Sequence, residues 1–397
     1  MKKVLIFGST GSIGRNTLDL ISKARKDFEV LGLCVNSNIE TLYKQIKEFS
    51  PRYVCVRDEN QAKKIKPQLK NNVALFTGQK GLDEFSHLNS DISVMAISGI
   101  SCLGPLLVNI EHTRRVALAN KESIVTAGSL VLDKARRYGT EILPVDSEIN
   151  ALFQLIEARA RKKNLPSNSL RKVYLTASGG ALAGYGQKKL SKVSIKEALA
   201  HPNWKMGKRI TIDSATLVNK GFEVIETHYF FGLPYKKINV VLHRESIIHA
   251  LVEYEDCALL ACLYPPDMKV PISFALYYPG RFSSNERANF LGIGSSFNNK
   301  KREIACTFVP FCDKDYPLFR IILRAAEKND NALVILNACD EVAIDYFLKK
   351  KINFVAIHKV MDYIFKHYPS SAIGGIEDIF WWDNWAREKT KEYLDRL

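Results

Sequence analysis

Short apolar runs alternate with amphipathic or polar segments along the first third of the chain. KKVLIF, EVLGLCV, YVCV, NVALF, ISVMA, RRVALA and TEILPV are apolar over most of their length. They are too short for helices that bury one face, and polar residues or glycine follow them, which is how buried strands read. Alternation of such strands with helix-like segments predicts a doubly wound parallel sheet. Further on, KVYLTA, INVVLH and SIIHALVEYEDCALLACLY show partial alternation, so a second region has a sheet of its own. From Tyr316 the pattern changes to the helical period in LFRIILRAAEK and NACDEVAIDYFLKK, predicting an all-helical end. Trp381, Trp382 and Trp385 lie there and are read as packing anchors.

At 397 residues and 46% hydrophobic content the chain is long enough for two or three domains with real cores. A formal net charge of +15 is spread over the chain without the basic, aromatic repeats of nucleic-acid binders. It therefore points to small anionic ligands drawn in by the field, with no nucleic acid and no membrane as partners. The apolar run Val4 to Phe7 is far short of a signal-peptide core. No stretch approaches the roughly 20 apolar residues of a membrane span. Eight cysteines occur without a C-x-x-C pair, and they read as reduced, mostly buried thiols of a cytoplasmic enzyme.

KKVLIFGSTGSIGRNTLDLI runs from a strand through Gly8, Gly11 and Gly14 into a helix. Glycine lets such a turn close and lets the backbone approach a pyrophosphate, while the new helix presents free N–H groups to an anion. After the second strand, where NAD enzymes place an acid on the ribose, stand Asn36, Ser37 and Asn38. With no carboxylate to repel a 2′-phosphate, NADP is favoured over NAD.

Other polar residues fall where strands end, which is where open α/β sheets bind ligands. Asn120, Lys121 and Glu122 follow one predicted strand and Asp146, Ser147 and Glu148 another. If that second segment is extended, Asp146 and Glu148 point the same way and need a cation, a hard divalent ion with Glu223 completing the set. Asp146 or Ser147 serves equally well as a helix N-cap. Ser178 ends a later strand, and a glycine-rich, basic loop beyond it reads as a lid beside His201 and Trp204.

His201 to Glu226, HPNWKMGKRITIDSATLVNKGFEVIE, is the densest chemical stretch. If VNKGFEVIETHYFF is helical, Asn219, Lys220 and Glu223 share a face, forming either a phosphate or metal site or a solvated edge with an Lys–Glu pair. His243 and His249 read as structural. The expected architecture is α/β: an N-terminal Rossmann-like dinucleotide-binding domain over 1–146, a central α+β catalytic domain with its lid over 147–279, a polar linker over 280–310 and a C-terminal helical bundle over 311–397. A metal-free dehydrogenase of an acidic substrate and a non-catalytic anion-binding protein fit the same residues less fully.

GSTGSIG at 8–14, LANKES at 118–123, PVDSE at 144–148, LTASGG at 175–180, HPNWKMG at 201–207 and IDSATLVNKGFEVIE at 212–226 together resemble the 1-deoxy-D-xylulose 5-phosphate reductoisomerase family. SIIHALVEY and LNACDEVA extend the likeness over essentially the whole length. The resemblance implies a homodimer that isomerises 1-deoxy-D-xylulose 5-phosphate and reduces it with NADPH to 2-C-methyl-D-erythritol 4-phosphate for isoprenoid synthesis. It implies Mg²⁺ or Mn²⁺ on Asp146, Glu148 and Glu223, and these with Lys121 as the catalytic set. Substrate contacts carried over are Lys121, Ser147, Glu148, Trp204, Asn219, Lys220 and Glu223, with Ser178, His201, Ser214, Asn219 and Lys220 toward the phosphate. Cofactor contacts are Thr10, Gly11, Ser12, Ile13, Asn36, Ser37, Asn38, Asn120, Glu122 and Gly207, and Trp204 and Met206 belong to the lid. The chain departs from the family in lacking a Lys at Ser37, in Ile149 where a His is common, in Ala181, Leu182 and Ala183 within the lid, and in Arg244 and Glu245 after His243.

Overall fold

Each of the seven N-terminal apolar runs is a strand in the computed structural model, which describes residues 1–160, 170–204, 206–282 and 305–396. They are β1 Lys2–Phe7, β2 Phe28–Val35, β3 Tyr53–Val56, β4 Ala74–Thr77, β5 Ser90–Met95, β6 Thr113–Leu118 and β7 Glu141–Pro144. All pair in parallel, in the order β4-β3-β2-β1-β5-β6-β7. The central strand β1 is buried from Val4 to Phe7; with helices on both faces of such a sheet, a strand reads as a continuous apolar run. Strand order reverses between β1 and β5, so the sheet has its switch point, and its natural ligand crevice, at the end of β1.

The chain divides into two compact units, the first of Met1–Ile124, Gly128–Asn150 and Met268–Ser283 and the second of Val125–Ala127, Ala151–Asp267 and Ser284–Leu397. The late helix Lys269–Tyr277 is part of the first unit because its ends are tied there. Lys269 Nζ lies 2.6 Å from Asp19, and the Tyr277 hydroxyl donates to Asp27 at 2.6 Å.

In the second unit, β8 Leu170–Ala177, β9 Ile238–Leu242, β10 Ile248–Tyr254, β11 Leu259–Leu263 and β12 Val309–Pro310 form a mixed sheet in the order β11-β10-β8-β9-β12. β8 and β9 are parallel; the other neighbours are antiparallel. Its helices Val218–Phe231, Pro317–Ala326, Ala332–Leu348, Phe354–His367 and Ile376–Leu394 enclose a core that includes Phe222, Ile322, Leu336 and Ile357. The linker expected over 280–310 lies mostly outside the described residues. Among those described, Val309 and Pro310 belong to the second sheet.

Three expectations are corrected. Trp381 is 58% exposed and meets only the edge of the Trp382 ring among aromatic partners described, whereas Trp382 and Trp385 pack on the core. Four of the eight cysteines are buried rather than most of them. The stretch after β8 is no bare loop: Leu182, Val193 and Ala198 join the core, and a capping box at Ser194 and Glu197 starts the helix Ile195–Ala198. Apolar side chains at those spacings supply packing that glycine and lysine content conceals. No helix among the described residues is long and apolar enough to cross a membrane.

Candidate active site

The glycine turn has the geometry that its sequence promised. Gly8 has φ +88°, and a Cβ there would stand 2.5 Å from the Ala96 carbonyl at the end of β5. A Cβ on Gly14 would stand 2.4 Å from the Gly8 carbonyl and 2.5 Å from Ser9 Cα, so helix Ser12–Lys23 begins pressed against the turn. Gln45 pins the turn by accepting from Ser9 Oγ at 2.8 Å and donating to the Ser9 carbonyl at 2.9 Å. No side chain caps the helix, and its first turn holds no acid. Thr10, Gly11, Ser12 and Ile13 surround its N–H groups at the switch point and are exposed or half-buried.

Asn36, Ser37 and Asn38 are exposed just past β2, where Asn38 Oδ1 caps the next helix by accepting from Thr41 N–H at 3.1 Å. Asn120 and Glu122 are clamps. The Asn120 amide donates to the carbonyls of Ile97 and Gly99 and to Glu122, and Glu122 accepts from Gly99 N–H at 3.0 Å. They hold the ends of β5 and β6 together. Burial raises the nearby Cys102 thiol to about 12, so it offers no thiolate for catalysis.

Lys121 is buried at the end of β6, and its ammonium donates to Asp146 Oδ2. Asp146 is not in a strand: β7 stops at Pro144 and helix Ser147–Ala160 begins one residue after Asp146. The alternation expected to converge Asp146 and Glu148 is therefore absent. Glu148 lies in the first helical turn, bonded by the Ser147 hydroxyl, where an acid suits the helix dipole. The Asp146 side chain does not act as the N-cap either. Oδ2 is taken by Lys121, and Oδ1 is buried with no hydrogen-bond partner among the described residues. Buried carboxylate oxygens without partners are rare enough to need a cause. An additional cation meets that need, and the carboxylates of Asp146 and Glu148 are oxygen donors of the kind that suits a hard divalent ion.

In the second unit, helix Val218–Phe231 does place Asn219, Lys220 and Glu223 on one face, but not as a solvated edge. Lys220 and Glu223 are 3% and 1% exposed. The Lys220 ammonium donates to Glu223 and, at 2.6 Å, to the Thr176 carbonyl near the end of β8; Asn219 donates to the other oxygen of Glu223. Thr176 was invisible to sequence reasoning because its contribution is a backbone oxygen.

Beyond β8, Ser178 Oγ is 3.0 Å from His201 Nε2 and accepts from Gly180 N–H at 3.1 Å. His201 Nδ1 accepts from the N–H groups of Asn203 and Trp204, at 3.2 and 3.0 Å. An accepting Nδ1 fixes the neutral tautomer with its proton on Nε2, which donates to Ser178. Gly180 has φ +71°, and a Cβ there would stand 2.4 Å from the Ser214 carbonyl. Ser178 and Ser214 are thereby held in one place. Trp204 rests edge-on against His249, which is stacked on Tyr264. His243 is buried and satisfied, its Nε2 accepting from Ile247 and Ile248 N–H, as a structural histidine should be. Met206 is half-buried, and Gly207 opens helix Lys208–Thr216 without a side-chain cap.

Comparison with known proteins bears on this geometry. The 1-deoxy-D-xylulose 5-phosphate reductoisomerase family profile matches residues 4–128, its C-terminal domain residues 142–231, and a DXP reductoisomerase C-terminal domain residues 263–389. The reductoisomerase of Thermoanaerobacter pseudethanolicus is 42% identical, covering 99% of this chain and 100% of its own, and that of Thermodesulfovibrio yellowstonii is 40% identical with the same coverage. Among solved structures, the Zymomonas mobilis enzyme in complex with NADPH superposes with a TM-score of 0.87 at 32% identity over 100% of both chains. A reductoisomerase in complex with NADPH, fosmidomycin and magnesium gives 0.87 at 33% over 100% of this chain and 98% of that one. The chain belongs to the 1-deoxy-D-xylulose 5-phosphate reductoisomerase family.

Proposed function

We propose that the residues described above carry the family's reaction: isomerisation of 1-deoxy-D-xylulose 5-phosphate and its reduction to 2-C-methyl-D-erythritol 4-phosphate, for the non-mevalonate route to isoprenoids. The reaction uses NADPH and a divalent metal ion. The observation that carries the assignment of roles is the burial of Lys121, Lys220 and Glu223, at 6%, 3% and 1% exposure. A fold gains little from burying ion pairs, since apolar side chains of equal volume stabilise it as well. Buried charges of this kind mark sites that handle charge.

Asp146, Glu148 and Glu223 hold the ion in this reading. Bound Mg²⁺ or Mn²⁺ supplies Lewis-acid polarisation of the substrate carbonyl and a neighbouring hydroxyl, and bound NADPH supplies the hydride. The chain's own residues do the rest. The uncapped N–H groups around Thr10 to Ile13 receive the pyrophosphate of the cofactor. Asn36, Ser37 and Asn38 donate to its ribose phosphate, and Gly207 meets it with backbone alone. Lys121 and Lys220, each already held by a carboxylate, keep a fixed positive charge beside substrate oxygens, with Ser147 and Asn219 as further donors. Ser178, Ser214 and the proton on His201 Nε2 bind the phosphate, and Lys220 adds charge there. Trp204 and Met206 exclude water when the lid closes.

The functional segments follow as cofactor binding over 1–146, metal and substrate over 147–279 and a helical support over 311–397. We place the enzyme in the cytoplasm, where its eight free cysteines stay reduced. It acts as a homodimer on this reading. In support, β11 is an edge strand with Leu259, Leu260 and Leu263 exposed, and an apolar edge invites pairing with a second copy. Leu260→Lys should then shift the sedimentation coefficient to that of a monomer; an unchanged dimer would move the interface elsewhere.

The test of function is NADPH absorbance on addition of 1-deoxy-D-xylulose 5-phosphate. Oxidation that EDTA abolishes and Mg²⁺ or Mn²⁺ restores is expected; oxidation indifferent to chelation would remove the metal from the account.

A further inference from the structure

We propose that Arg209 is a positioning residue for the phosphate end of the substrate site, holding the helix that carries Ser214 in register with the C-terminal bundle. The inference rests on the assignment of Ser214 to the substrate phosphate.

Arg209 lies in the first turn of helix Lys208–Thr216. Its guanidinium reaches three successive acceptors on one face of helix Ala332–Leu348. Nη2 donates to Asn337 Oδ1 at 3.0 Å and lies 3.5 Å from Asp340 Oδ2, and Nη1 donates to Glu341. Within its own helix Nε is 3.6 Å from Asp213. Asn337 and Asp340 are fully buried and Asp213 nearly so. The planar fork of an arginine suits several acceptors at fixed angles in a way that an ammonium does not.

Glu341 gives its second oxygen to Arg387, which is bonded to Asp383 on its own helix, Ile376–Leu394. Arg387 therefore braces the bundle internally. Arg209 instead ties the bundle to helix Lys208–Thr216. That helix is the floor of the proposed phosphate site: the loop after β8 is seated on the backbone of Ser214 and Ala215, so close that Gly180 has no room for a Cβ. A shift of the helix along the bundle moves Ser214 and the seat of Ser178 together. Displacements on the order of 1 Å at binding groups are enough to cost about 10²-fold in rate. The pair Arg209 and Arg387 thus separates two jobs that share one carboxylate.

The experiment compares Arg209→Met, Arg209→Lys, Arg387→Met and Ser214→Ala in the metal-loaded enzyme, reading kcat, KM for each substrate, competitive inhibition by inorganic phosphate and Tm. Arg209→Met should raise KM for the phosphorylated substrate and the phosphate inhibition constant together by about 10-fold. KM for NADPH should rise much less, because of its proposed contacts only Gly207 adjoins this helix. Arg209→Lys, retaining the charge but not the fork, should fall between that variant and wild type. Arg387→Met should lower Tm and leave both phosphate readouts alone. A folded Arg209→Met with wild-type phosphate inhibition overturns the proposal, as do equal KM increases in the Arg209 and Arg387 variants. Should Arg209→Met fail to fold, Arg209→Lys decides by the same readouts, wild-type values overturning the proposal. If Ser214→Ala changes neither readout, the assignment of Ser214 falls, a failure distinct from that of Arg209.

Discussion

The glycine turn at Gly8 to Gly14 and the helix Val218–Phe231 are the two stretches assigned to highly charged ligands, and they are built from opposite materials. The first turn of its helix holds no acid and no side-chain cap, and what the turn offers is backbone, brought close by the absence of Cβ atoms. The helix offers a buried ammonium and a buried carboxylate, held in place by Asn219 and the Thr176 carbonyl. The first site tolerates changes of side-chain chemistry but no added carbon at Gly8 or Gly14. The second has space shaped around charges and tolerates no change in their balance. Fixed backbone dipoles suit a cofactor that binds and leaves unchanged in shape, whereas ionised side chains suit a step in which charge develops on substrate oxygens.

The sharpest way to break this contrast is Lys220→Met. It leaves Glu223 buried without its cation, a change that costs about 3–5 kcal/mol when one partner of such a pair is removed. We expect kcat/KM to fall by about 10³-fold and NADPH affinity, measured by fluorescence titration, to stay at the wild-type value. A comparable loss of NADPH binding would mean that the two sites are not separate in material.

In the nucleotide site, Gly14→Ala places a methyl group 2.4 Å from the Gly8 carbonyl. It should weaken NADPH binding by about 10- to 100-fold, since the turn must open to admit a buried methyl group. Gly139→Ala is the matched control. Gly139 also has a positive φ, of +70°, but nothing stands within 4 Å of its Cβ position. It should cost about 1 kcal/mol of stability and leave NADPH titration unaltered.

Asp340→Asn sharpens the same contrast through pH. Burial is the main cause raising the Asp340 carboxyl to about 6, against the pull of Arg209. Between about 4 and 6 the folded protein therefore holds a proton that the unfolded chain has released. Stability falls as pH rises through that window. The amide removes the penalty, so the variant should be more stable than wild type at pH 7 to 8 by about 1–3 kcal/mol, with the gain vanishing toward pH 4. Denaturant midpoints across pH check this, and a gain independent of pH would contradict it.

The smallest expected effect is at Ser37. Adding a cation with Ser37→Lys should tighten NADPH by about 5-fold at low salt, as an exposed ion pair contributes roughly 1 kcal/mol or less, and the gain should shrink with ionic strength.

How far each region was legible follows from the same difference. The parallel sheet and the glycine turn depend on local pattern, apolar runs followed by glycines at short spacing, so their residues announce them. Asn219, Lys220 and Glu223 have the same spacing on an exposed helix as on a buried one. What buries them includes Thr176, 44 residues away from Lys220. Arg209 meets its partners 128 to 132 residues away, beyond any local pattern. At Val145 to Glu148 the short polar run was compatible with a strand end or a helix start, and the helix begins at Ser147. Trp381 was misread because a tryptophan's size says nothing about which side of its helix it occupies.

The central claim is that Asp146, Glu148 and Glu223 hold one divalent ion. Mn²⁺ titration followed by electron paramagnetic resonance, on wild type, Asp146→Asn and Glu223→Gln, tests it without reliance on turnover. One site in wild type, weakened by about 10-fold or more in each variant while NADPH still binds, is the predicted result. Mn²⁺ binding as tight in Glu223→Gln as in wild type would contradict the claim.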